Sequence, residues 1–321
     1  MSAATSIKKV TVIGSGSIGA SWAALFLAHG LETVVYDINP SAKDFLYSLV
    51  DGALPVLQRL GNSTNADAKA SDIVFTTDLV EALKDADFVQ ENGPERLPFK
   101  QKLFTDITKH VRDDTILATS SSGLSCSSIQ EGVVSHPERC VVGHPFNPPH
   151  LIPLVEVVGG NMTSSATIER TLAFYNGLGK KAVHVKKEAR GHIANRLQGA
   201  LMREMMYLLQ NDVCTVADLE AAMQYGPGLR WGVMGPNLLF HLGGGPAGIQ
   251  HMADHLLEPM MSWYAETDPV VNDELKRKWV EGTLDVVNGR KFEDLVKQRD
   301  EEIIELLNIQ KSYEAGSRER T

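Results

Sequence analysis

The sequence predicts an α/β fold, a doubly wound and mostly parallel sheet followed by an all-helical second domain. Three observations carry this expectation. Short β-branched runs alternate with amphipathic stretches through the first 187 residues, and beyond residue 188 helical spacing replaces them. A glycine-rich turn follows the first run immediately.

The runs are KKVTVIG (8–14), ETVVYD (32–37), DIVFTT (72–77), ADFVQEN (86–92), TILATS (115–120), CVVGHPF (140–146), LVEVVGG (154–160) and KAVHVKK (181–187). Several are apolar through their centres, as strands covered by helices on both faces must be. Between them lie stretches such as PERLPFKQKLFTDITKHV, whose apolar residues suit one helix face. After residue 188, GHIANRLQGALMREMMYLLQND sets Ile193, Leu197, Leu201, Met205 and Leu208 at helical spacing, and Thr215 is placed to cap the next helix. The expected division is therefore a sheet domain over 1–187 and a helical domain over 188–321.

The turn itself reads VTVIGSGSIGASWAALFLAHGLETVVYD, residues 10–37. Gly14 suits the tight turn, Gly16 lets backbone N–H groups approach a pyrophosphate, and Gly19 permits close packing of helix on strand. The helix expected from Ile18 to His29 points its N-terminal dipole at that phosphate. Asp37 ends the second strand, where a carboxylate accepts hydrogen bonds from ribose hydroxyls and repels a 2′-phosphate. A glycine turn without a ligand needs neither the strand before it nor the acid after it. A Rossmann-type unit binding NAD is the expectation.

Composition narrows the partners. A net charge of −9 argues against nucleic acid, which is bound by clustered Lys and Arg. The three cysteines include no C-x-x-C pair, which fits a reducing compartment. No apolar run has the length of a membrane span and no secretory leader is evident, so the expected location is cytoplasmic.

Hydride transfer from a secondary alcohol to a nicotinamide needs a base for the hydroxyl proton. GHPFNPPHLIPLVEVVGG offers His144 at the end of one strand and Glu156 inside another that is otherwise apolar. Two readings fit that spacing. A buried Glu156 orients a catalytic His144, or His144 is a satisfied loop histidine and Glu156 an exposed edge residue. TSSSGLSCSS supplies hydroxyls at the end of a further strand, Ser122 among them, with Ser127 and Ser128 read first as helix caps.

Taken in order, the glycine turn, Asp37, NGPERLPFK, SSSGL, HPFNPP, LVEVVGG and GHIANRL resemble the 3-hydroxyacyl-CoA dehydrogenase superfamily over nearly the whole chain. Within it the sequence resembles the lambda-crystallin and L-gulonate 3-dehydrogenase branch. The resemblance implies His144 as base, Glu156 as its partner, and Ser122 and Asn195 as groups that hold the substrate. It also implies NAD contacts from Ser17, Ile18, Asp37, Glu95 and Lys100. On residue type alone, Asn195 reads equally as an ordinary helix residue and Lys100 as a solvated helix lysine. A homodimer joined through the helical domain is implied as well.

YGPGLRWGVMGP departs from the acyl-CoA pattern by carrying Arg230 and Trp231. An arginine there suits a free carboxylate, which points to a small 3-hydroxy acid; it suits a helix C-terminus or a dimer brace equally well. L-gulonate is the first expectation. L-carnitine, whose quaternary ammonium calls for aromatic or acidic groups, with Phe146, Trp231, Phe240 and Trp263 available, is the alternative, beside a short acyl-CoA thioester and a non-enzymatic crystallin-type role. His251 and His255 are four residues apart with no third ligand evident, and no metal is expected.

Overall fold

The computed structural model describes residues 7–318. Contacts divide the chain into one unit ending at Arg196 and a second beginning at Leu197. The first unit contains β1 (Lys9–Ile13), α1 (Ser17–Ala28), β2 (Glu32–Tyr36), α2 (Ala42–Arg59), β3 (Val74–Thr76), α3 (Leu79–Leu83), β4 (Phe88–Glu91) and α4 (Leu97–Ile107). It continues through β5 (Ile116–Thr119), α5 (Cys126–Gln130), β6 (Cys140–Pro145), β7 (Leu154–Gly159), α6 (Ser165–Gly177), β8 (Lys181–Val185) and the start of α7 (Ala194–Gln210). Each of the eight expected runs contributes a strand.

The strand order is β3-β2-β1-β4-β5-β6-β7-β8. All neighbours are parallel except β6 and β7. Only residues 146–153 join those two strands, too few for a crossover, so β7 returns antiparallel. That return sets the register in which His144 faces Glu156.

Strand residues alternate between two cores. Val10, Val12, Phe88, Ile116, Val141 and Val157 pack with Trp22, Phe26, Leu46 and Tyr175 of α1, α2 and α6. Ile13, Val89, Leu117, Val142 and Val158 pack with Leu83, Phe104 and Ile129 of α3, α4 and α5. Helix α1 is buried continuously from Gly19 to Ala28, which explains its nearly all-apolar sequence. Burying each larger side chain contributes on the order of 2 kcal/mol, opposed by the entropy of ordering it.

Lys180, just before β8, is buried and fastens the β6–β7 link: its ammonium donates to the carbonyls of Pro149 and Ile152 and lies 5.7 Å from the centre of the Trp22 ring. Burial pushes this amine down to about 7. Its folded value lies below its unfolded one, so the native state binds fewer protons between the two, and raising pH through that window favours folding. The stability of the natural chain relative to Lys180→Met, measured by urea unfolding, should therefore rise by about 1 kcal/mol per pH unit between pH 7 and 10. A difference that stays flat would show that the two carbonyls keep the ammonium in its ordinary range.

The second unit holds the remainder of α7, α8 (Val216–Tyr225), α9 (Pro227–Trp231), α10 (Pro236–Gly243), α11 (Gly248–His255), α12 (Leu257–Met260), α13 (Asp273–Val287) and α14 (Phe292–Arg318). Thr215 caps α8 in a reciprocal box with Asp218, as its position predicts. Met206, Leu209, Val216, Leu219 and Leu275 form a small core, while Leu238, Leu242, Trp263 and Leu284 stay exposed. No helix among the described residues is long and apolar enough to cross a membrane.

Residues 188–196 make contacts with the sheet unit: Glu188 binds Ser127, His192 binds Ser121, and the amides of Ile193 and Ala194 bind Glu156. One local expectation is corrected. Ser125, rather than Ser127 or Ser128, caps α5 by accepting from the Ser128 amide. Ser127 is drawn instead to the Glu188 carboxylate, which takes both its N–H and its hydroxyl.

Candidate active site

The antiparallel register places His144 Nδ1 3.0 Å from Glu156 Oε2. Glu156 is fully buried, and its other oxygen accepts the amides of Ile193 at 2.8 Å and Ala194 at 3.0 Å. Burial alone would raise this carboxyl; the bonds from His144 and the two amides outweigh it and hold the group below its usual range. An ionised Glu156 accepts only, so His144 Nδ1 carries a proton, and in the neutral ring Nε2 presents a lone pair. Ser122 Oγ lies 3.0 Å from that Nε2 and donates to it when the ring is neutral. Of the two readings open from spacing, the geometry gives the buried, oriented pair.

Asn195, the second residue of α7, is half-buried and next to the amides that hold Glu156. His144, Ser122, Ile18, Glu95, Lys100 and Asn92 line a cavity of roughly 400 Å³ at the carboxyl ends of the parallel strands. Arg230 and Trp231 stand on α9 of the second unit, and both are exposed.

The glycine turn fits a dinucleotide's pyrophosphate. Gly14 has φ of +87°, a left-handed conformation that favours glycine. A Cβ on Gly19 would lie 1.8 Å from the Gly14 carbonyl oxygen, whereas one on Gly16 would meet nothing within 4 Å. Helix α1 starts at Ser17 without a side-chain cap or an acid in its first turn, leaving its amides to an anion. Asp37 Oδ2 accepts the amide and hydroxyl of Ser15, which ties the end of β2 to the turn. Burial opposes the charge on Asp37, but these bonds and the Asn39 amide hold its carboxyl low, so an anion stands at the end of β2.

Lys100 is not a solvated helix lysine. It is buried against Glu91, with Nζ 2.9 and 2.7 Å from the two carboxylate oxygens, and 3.8 Å from Glu95. Glu95 gathers Ser121 Oγ and the amides of Ser122, Gly123 and Leu124 onto one oxygen, at 2.6 to 3.1 Å. It therefore shapes the Ser122 loop as well as lining the cavity. Glu91 was missed from sequence because it follows Gln90 at the polar end of ADFVQEN, where it does not stand out as a lone acid in an apolar run as Glu156 does. His192 and Ser121 were missed because nothing in their spacing marks them. His251 and His255 stack 4.3 Å apart on α11 and are exposed; among the described residues no three His, Cys, Asp or Glu side chains gather as metal ligands.

Comparison with known proteins gives the family. Residues 9–189 match the family model for the 3-hydroxyacyl-CoA dehydrogenase NAD binding domain, and residues 191–285 match that family's C-terminal domain. The chain belongs to the 3-hydroxyacyl-CoA dehydrogenase family and is an NAD-dependent oxidoreductase. More particularly, it is 38% identical to an L-carnitine dehydrogenase of Oceanobacillus iheyensis over 96% of this chain and 99% of that one. It is 41% identical to an L-carnitine dehydrogenase of Streptomyces griseus over 94% of this chain and 89% of the relative. Among solved structures, a 5-formyl-3-hydroxy-2-methylpyridine 4-carboxylic acid 5-dehydrogenase matches with a TM-score of 0.83 and 28% identity, covering 95% of this chain and 99% of that chain. An (S)-3-hydroxybutyryl-CoA dehydrogenase from Ralstonia eutropha matches at 0.63 and 27%, over 78% of this chain and 85% of that one. These relatives do not support the expectation of L-gulonate or of a lambda-crystallin affinity.

Proposed function

We propose that the protein oxidises the C3 hydroxyl of L-carnitine to the ketone. The reaction rests on one observation: Glu156 fixes the tautomer of His144, whose free Nε2 faces the Ser122 hydroxyl. His144 takes the hydroxyl proton at Nε2, and Glu156, through Nδ1–H, stabilises the imidazolium that results. Ser122 and Asn195 hold the C3 oxygen in line with Nε2. NAD, when bound, supplies the acceptor for the hydrogen that leaves C3. In reverse, the same imidazolium returns its proton to the forming alcohol.

The full-length similarity to L-carnitine dehydrogenases supports this substrate. Phe146, edge-on to His144 with ring centres 6.1 Å apart, adds an aromatic surface suited to a trimethylammonium group. NADH formation with L-carnitine, L-gulonate, 3-hydroxybutyrate and 3-hydroxybutyryl-CoA tests the reading. L-carnitine should give the highest kcat/KM, and a preference for the thioester would overturn it. A homodimer is proposed with it, because the helical unit exposes Leu238, Leu242 and Trp263; light scattering at the mass of a single chain would remove that part.

A further inference from the structure

The peptide joining Ser121 to Ser122 is held at both ends. Its N–H, from Ser122, donates to Glu95 Oε1 at 3.1 Å, and its carbonyl, from Ser121, accepts from His192 Nε2 at 3.1 Å. A carbonyl only accepts, so His192 carries its proton on Nε2 and leaves Nδ1 bare. That Nδ1 is buried and has no hydrogen-bond partner. Leaving an acceptor in this state costs stability, as does the left-handed backbone at His192, φ +51°. The ring also lies 5.0 Å from His144, centre to centre. The two residues after it donate the amides that hold Glu156. One short turn therefore touches both partners of His144, Glu156 through its backbone and the Ser122 peptide through an imidazole.

We infer that His192 is a positioning residue, fixing the Ser122 hydroxyl against His144 Nε2 through the Ser121 carbonyl. This rests on the role proposed above for Ser122. The arrangement needs a neutral His192, since a protonated ring would bring a second donor into a buried place with no acceptor and a charge beside the imidazolium that forms on His144. Burial, and secondarily the neighbouring His144, lower the pKa of His192, while the bond to Ser121 and the charges of Glu156 and Glu95 oppose this.

Two substitutions separate positioning from backbone strain. Gln places an amide N–H near the position of imidazole Nε2, whereas Asn is too short to reach Ser121 but tolerates a left-handed backbone better. His192→Asn should lower kcat roughly tenfold to a hundredfold while KM changes far less, and His192→Gln should recover most of that loss. A strain effect would rank the two variants the other way. In a Ser122→Ala background His192→Asn should cost less than about threefold more, because the hydroxyl it positions is gone.

Thermal unfolding confirms that each variant is folded. Equal kcat in the Asn and Gln variants, or an undiminished cost in the Ser122→Ala background, overturns the inference. If Ser122→Ala alone leaves turnover unchanged, the role of Ser122 fails first and takes this inference with it. If Ser122→Ala is costly and His192→Asn is not, only the positioning role of His192 is lost.

Discussion

His144→Gln is expected to lower kcat by about 10²- to 10⁴-fold while leaving the Kd for NADH within about twofold. The glutamine amide fills the volume of the ring but has no lone pair basic enough to take a hydroxyl proton. Glu156, buried and ionised, keeps its two backbone donors from Ile193 and Ala194 and loses only the bond from Nδ1. Leaving a buried carboxylate short of one donor costs on the order of 1–3 kcal/mol, so some loss of thermal stability accompanies the loss of turnover. NADH titration and steady-state rates on the same preparation make the check. Weak NADH binding with normal turnover of the bound fraction would show that His144 serves the cofactor rather than the proton.

The second large effect concerns the glycine turn, where two neighbouring positions should behave differently. Gly19→Ala forces a methyl to within 1.8 Å of the Gly14 carbonyl oxygen, so the turn must move away from α1. NADH affinity should fall on the order of a hundredfold, and the protein without cofactor should melt at lower temperature. Gly16→Ala meets no protein atom within 4 Å and should leave that melting temperature unchanged. Its methyl enters the space through which the turn approaches the pyrophosphate, and NADH affinity should still fall by tenfold or more. Unchanged affinity in Gly16→Ala would mean that the phosphates do not pass over this residue.

Much of this arrangement was legible in the chain because its causes are local. Strands β1 to β8 declare themselves as β-branched apolar runs, and the turn at Gly14 to Gly19 is recognisable because few sequences place those glycines between a strand and an apolar helix. Glu156 stood out because an acid in a buried strand has to be paired. What escaped was whatever depends on a partner far along the chain. Lys100 is an ordinary amphipathic-helix lysine until Glu91 on β4 is seen beneath it. Ser127 is as good a cap as Ser125 until Glu188, 61 residues later, draws its hydroxyl away. For the same reason the sequence did not show that the hydrogen bonds of His192, Ile193 and Ala194 lead back to the sheet.

By itself, the sequence determined which elements form, that the sheet binds a dinucleotide, and which imidazole and carboxylate were available for chemistry. Periodicity, turn residues and the cost of burying charge act within a few residues of their origin, so they can be read along a line. Only the tertiary structure decided that β7 reverses against β6 and sets Glu156 opposite His144, that one oxygen of Glu95 gathers the Ser122 loop, and that the turn before α7 closes over both. Those contacts depend on register and on directional hydrogen bonds between distant segments, and the folded chain is what brings such segments together.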